Sequence, residues 1–99
     1  MGEFGRSPQI TSGGGRNHWA RAWSTVLAGG GIRGGQVIGR TSRDGAEVVN
    51  RPISVPDFLA TVCTILGIDY TRQNRAASVA RPIPIVDTTK PVTVISQLL

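Results

Sequence analysis

Ninety-nine residues allow one small domain, and a chain this short buries only roughly 60–65% of its unfolded surface, so its core is small. Apolar residues make up 39%, a low share for a globular domain, while thirteen glycines are nearly twice the usual number. Eleven Lys and Arg against six Asp and Glu give a net charge of +5, but these basic residues stand singly from Arg6 to Lys90 and form no patch of the kind that tracks nucleic acid.

From Met1 to Gly15 the chain reads as turn and loop, because Gly2, Gly5 and Pro8 break both helix and internal strand. His18, the single histidine, follows between Arg16, Asn17 and Trp19. Residues 23–28 form a short apolar run with β-branched Thr25 and Val26, closed by Gly29, Gly30 and Gly31; this pattern predicts a buried strand. A second, shorter strand is expected over 36–40, then a polar turn over 41–45 and a third strand over 46–50. Trp19 and Trp23 are expected to pack against the sheet edge.

The clearest element is a helix over 55–66. Ser54 and Asp57 make a capping-box pair, and Pro56 is tolerated in a first turn. Phe58, Leu59, Val62, Ile65 and Leu66 recur on one face, which predicts that this stripe is buried. Gly67 stands where a left-handed residue ends a helix, with Ile68 folding back onto the last turn. Cys63 is the only cysteine, so no internal disulfide exists, and its apolar neighbours predict a small buried hydrophobe. Residues 69–80 read as loop, and Pro82 and Pro84 confine 81–86 to an extended edge segment. For 89–99 a strand and a helical turn both fit. No window approaches the ~18 apolar residues of a membrane span, and the N-terminus lacks the layout of a signal peptide.

Chemistry-bearing groups are few. Metal-protease, paired-cysteine and nucleophile-elbow motifs are absent, and the glycines at 29–31 and 34–35 have neither dinucleotide nor Walker spacing. His18 is either a solvated side chain or a metal ligand, since neutral imidazole is the commonest nitrogen donor. Glu3 offers a second, oxygen donor, still short of the three or four ligands of an ordinary site. Arg6 and Arg16 are either solvated or forks for a phosphate or sulfate.

Three stretches carry a resemblance: Glu3-Phe-Gly-Arg-Ser-Pro8, Gly15-Arg-Asn-His-Trp19 and Val26-Leu-Ala-Gly-Gly-Gly-Ile-Arg-Gly-Gly35. In that order they resemble the C-terminal signature of the sulfatase-like proteins grouped as domain of unknown function 1501. The Arg40–Gly45 turn, the Pro56-Asp-Phe-Leu-Ala-Thr helix start, Leu66-Gly-Ile68 and Arg81-Pro-Ile-Pro-Ile85 extend it over residues 1–86.

The resemblance implies kinship with the alkaline-phosphatase superfamily: doubly wound α/β metal hydrolases acting on phosphate and sulfate esters. The expected fold is then the C-terminal fragment of such a doubly wound sheet, with two or three short strands and the main helix at 55–66. It would be a single partial domain: a glycine-rich site loop (1–22), strands and turns (23–50), helix (54–67) and an extended C-terminal segment (68–99). His18 would be a metal ligand and Glu3 a ligand or site-edge acid, with Arg6 and Arg16 lining the anion pocket. The metal would be divalent, with zinc, manganese and calcium equally admissible. Asn17 departs from the family's usual aspartate before the histidine. The nucleophile and remaining ligands belong to a preceding part of the family's chain, so a fragment inactive by itself is expected. Two other classes stay open: a small basic module binding anions or nucleic acid, and an interaction domain without chemistry. The compartment is not specified.

Overall fold

The computed structural model describes residues 2–99 and divides into two compact units, residues 2–29 with 35–52 and residues 30–34 with 53–99. Its regular elements are one helix and three separate two-stranded antiparallel sheets.

In the first unit, β1 (Gly5–Arg6) pairs with β2 (His18–Trp19), placing Gly5 opposite Trp19 and Arg6 opposite His18. The second pair joins β3 (Arg40–Thr41) to β4 (Val48–Asn50), with a register shift between Arg40 and Thr41. The intervening turn follows its sequence: Gly45 adopts φ +72°, its N–H donates to Ser42 O at 2.9 Å, and Asp44 accepts from the Ser42 hydroxyl at 2.6 Å. That geometry matches the polar turn expected over 41–45.

Two strand expectations fail here. Residues 23–28 carry no strand, and Val26 is 85% exposed. Apolar content does not make a strand without a neighbour to take its backbone groups, and among the described residues none pairs with this run. Of residues 36–40 only Arg40 enters a ladder; Val37 is 96% exposed, and Gly39 at φ +82° turns the chain out of the extended region. The third expected strand is present in part, as β4.

The second unit contains α1 (Val55–Ile65), one residue shorter than expected and within the usual ambiguity of a helix end. Its capping box is complete. Ser54 Oγ accepts from the Asp57 N–H, and Asp57 Oδ2 accepts from the Ser54 N–H, each at 3.1 Å. At the other end Gly67 sits at φ +71°, its N–H reaching Thr64 O at 3.0 Å while the Ile68 N–H reaches Cys63 O at 2.8 Å. These are the two bonds of a Schellman motif.

The buried side of α1 is not the predicted stripe. Ala60 and Thr61 are fully buried, Phe58, Val62 and Ile65 are half-buried, and Leu59 is 40% exposed, with Leu66 more so. The reason is what covers the helix. The C-terminal segment runs along it and offers backbone N–H groups, so it takes acceptors rather than a leucine. Thr93 N–H donates to Asp57 Oδ1 at 2.7 Å and Ile95 N–H donates to Thr61 Oγ1 at 2.9 Å. Ile95 and Val86 are buried in the same unit. Cys63 is free and half-buried, less enclosed than its apolar neighbours suggested.

β5 (Gln73–Asn74) pairs with β6 (Ile83–Pro84), so the proline-bearing segment is an edge as expected. The chain closes with a 3₁₀ turn over Ser96–Leu98, and Leu98 O accepts from the Arg33 N–H at 3.0 Å. The parallel strands and helical crossovers of a doubly wound sheet are not seen among the described residues.

Candidate functional site

The candidate side chains gather on the β1–β2 pair. Because β1 and β2 run antiparallel with Arg6 opposite His18, these two residues become neighbours despite the intervening loop. The imidazole of His18 stacks on Phe4, ring centroids 3.8 Å apart and planes inclined by 26°. The Arg6 guanidinium carbon lies 5.5 Å from the centroid of the same phenyl ring, within cation–π range. Phe4 is therefore the shared contact of the cation and the imidazole. Both Arg6 and His18 are exposed, so a ligand can reach them.

The strands approach closely because residue 5 is glycine. A Cβ there would overlap the carbonyl oxygen of Ala22 and stand 3.1 Å from Trp19 O. Trp19 is fixed in turn, its indole N–H donating to Ala46 O at 2.6 Å and its ring under the Arg21 guanidinium at 5.7 Å.

The loop between β1 and β2 is closed by hydrogen bonds to buried Ser7. Its N–H donates to Asn17 O at 3.0 Å, its hydroxyl donates to Gln9 O at 2.8 Å, and that oxygen accepts from the Asn17 N–H at 3.1 Å. Arg16 Nη1 donates to Ser7 O at 2.8 Å and to Pro8 O at 2.6 Å. Among the described residues Arg6 Nη1 makes only a long bond, 3.4 Å, to Arg16 O.

Of the four residues singled out from sequence, Arg6, Arg16 and His18 thus belong to one hairpin. Glu3 lies exposed two residues before β1. Among the described residues no group of three or more His, Cys, Asp or Glu side chains converges to hold a metal ion. A polar hollow of about 470 Å³ exists in the second unit, between Ile68 and Ile85 and lined by Asp69, Arg72, Gln73 and Asn74; none of the four candidates lines it. Two contributors to the hairpin escaped the sequence reading. Phe4 and Ser7 both stood within the first resemblance stretch, but nothing in the sequence gave either of them a role.

Among the described residues no helix is long and apolar enough to cross a membrane. No curated protein and no solved structure matches the chain. One family model does, over residues 1–99, and its description is "Protein of unknown function (DUF1501)". The chain belongs to that family.

Proposed function

We propose, from this family membership and the β1–β2 face, that the chain forms the C-terminal part of a sulfatase- or phosphatase-like metal-dependent hydrolase. The observation that carries the reading is the juxtaposition of an accessible imidazole and a guanidinium on one phenyl ring, opposite each other across a strand pair. Imidazole is a donor for a divalent metal, and guanidinium matches the oxygens of a phosphate or sulfate ester.

The described residues do not fit a complete metal centre. His18 is one donor and Glu3 a second at most, whereas a catalytic site needs about three protein ligands and an open position. Within this reading the remaining ligands and the nucleophile come from outside these residues, and the chain alone does not turn over. Its own contribution is to hold an anionic ester: Arg6 offers charge to the equatorial oxygens, and the Phe4 stack restricts the imidazole to one plane. Zinc, manganese and calcium remain equal candidates.

The test is an assay of the purified chain on aryl phosphate and aryl sulfate with zinc or manganese added. Release of the aryl alcohol at the background rate is expected. Turnover that depends on His18 would overturn the incomplete-site reading. A basic nucleic-acid module predicts instead salt-sensitive binding to DNA or RNA tighter than roughly micromolar at physiological salt.

A further inference from the structure

We infer that Arg16 is a positioning residue that closes the Ser7–Asn17 loop and thereby sets His18 against Phe4, leaving Arg6 as the arginine that meets an anion; this rests on reading His18 as the nitrogen donor of the proposed site.

The geometry of Arg16 makes the distinction. Both of its bonds leave from one nitrogen, Nη1, toward the consecutive carbonyls of Ser7 and Pro8 at 2.8 and 2.6 Å. An Nη1 group carries two hydrogens, so both are used. The end-on fork that a carboxylate, phosphate or sulfate takes from Nη1 and Nη2 is then closed unless the loop lets go, and the side-on edge of Nε–H and Nη2–H is what Arg16 keeps. Arg6 is in the opposite condition. Among the described residues its guanidinium makes one hydrogen bond, 3.4 Å long, and otherwise rests on a phenyl face, a contact that leaves the hydrogens at its edge for a ligand.

What Arg16 holds is the entry to β2. Ser7 directly follows β1, and Asn17 directly precedes His18. Three hydrogen bonds through the Ser7 backbone and hydroxyl tie this residue to Asn17 and Gln9. Ser7 is only 5% exposed, and Arg16 supplies its part-buried carbonyl with a charged donor. Releasing that carbonyl loosens the loop at the residue adjoining the Arg6–His18 pair, and the imidazole loses its fixed place on Phe4. The role needs one cationic nitrogen, not a planar fork. Lysine, one bond shorter, still brings a nitrogen with three hydrogens to two adjacent carbonyls, whereas it cannot replace a fork.

His18 is the only histidine, so its ring protons can be followed by NMR without ambiguity. In the parent chain they should be displaced upfield by the Phe4 ring, with Phe4→Leu giving the position of the unstacked ring. Arg16→Ala should lose most of that displacement and Arg16→Lys should keep most of it. An unchanged displacement in Arg16→Ala contradicts the inference. So does a loss in Arg16→Lys as complete as in Arg16→Ala, and Arg16→Lys decides alone if Arg16→Ala does not fold. Titration with inorganic phosphate supplies the second arm: the shift of the His18 resonances should disappear in Arg6→Ala and persist in Arg16→Lys. The reverse pattern makes Arg16 the anion group and overturns the assignment. A parent chain indifferent to phosphate removes support from the hydrolase reading while leaving the ring-current test of the loop intact.

Discussion

Residues 53–99 hold an eleven-residue helix capped at both ends, whereas residues 2–52 hold no helix and are fixed by four short strands and by side chains bonded to carbonyls. The capping box and the Schellman bonds of α1 join residues at most five apart, so the helix ends are specified locally. The β1–β2 face joins residues twelve or fourteen apart, and Trp19 reaches Ala46 across 27 positions. Geometry of the second kind depends on close approach. One misplaced atom should therefore disturb the candidate site more than the loss of a cap disturbs the helix.

Gly5→Val is expected to give the largest effect. Its Cβ meets two backbone oxygens, which cannot move aside as a side chain does. Overpacking of this kind costs about 3 kcal/mol, and near-ultraviolet dichroism from Trp19 and Trp23 should flatten. A variant with unchanged tryptophan signal and urea midpoint would break the comparison at its first step.

Thr61→Val comes next, at about 2 kcal/mol. Thr61 is fully buried, donates to Asp57 O at 2.7 Å and accepts from the Ile95 N–H at 2.9 Å; valine keeps the shape and strands that buried N–H. Thermal melting followed at 222 nm is the measurement, and a melt within error of the parent would show that the C-terminal segment does not depend on this bond. Ser54→Ala should cost about 1 kcal/mol through loss of the N-cap, read in the same melt.

The same helix start should carry a pH dependence. The Thr93 N–H above all holds the Asp57 carboxyl below its ordinary value of 3.8; burial opposes it more than either Ser54 group helps, and the Ser54 hydroxyl and N–H add to the lowering. A folded-state pKa below the unfolded one gives stability that is fully present above the unfolded value and fades as pH falls through the folded one. Helix stability should thus decline with acid below about pH 4, and Asp57→Asn should remove that contribution. An Asp57→Asn chain whose acid transition equals the parent's would show that this carboxylate is not responsible.

Leu59→Ala should have the smallest effect, under about 1 kcal/mol, because Leu59 is already 40% exposed and little cavity is left behind. A cost comparable with that of Thr61→Val would mean that the apolar stripe, not the Asp57–Thr61 side, is what the folded chain covers.

These cases show which parts of the molecule were legible in the sequence. Ser54, Asp57, Gly67 and Ile68 announced both helix ends because capping is a rule about neighbours. Gly45 and Asp44 likewise marked their turn. Periodicity gave the apolar side of α1 but not its cover. A segment that docks through backbone N–H groups selects oxygen acceptors, and no pattern in 55–65 announces that Thr93 and Ile95 will arrive there. The run 23–28 reads as a strand only if a second strand is supplied to it. At the hairpin, His18 and Arg6 were singled out by their chemistry, but their pairing through register, the Phe4 stack and the Ser7–Arg16 bonds are contacts at long sequence separation. An arginine bonded to carbonyls has the same one-dimensional appearance as one awaiting an anion.

The central claim is that these residues present one end of a metal-hydrolase site and not a whole one. A calorimetric titration of the chain with zinc, repeated with manganese and with His18→Ala, addresses it most directly. The account predicts weak binding with no saturation at one equivalent, far short of the ~10–16 kcal/mol of structural zinc sites, and a further weakening in His18→Ala. Stoichiometric binding tighter than about micromolar that vanishes in His18→Ala would contradict it, because a complete ligand set would then reside within these 99 residues.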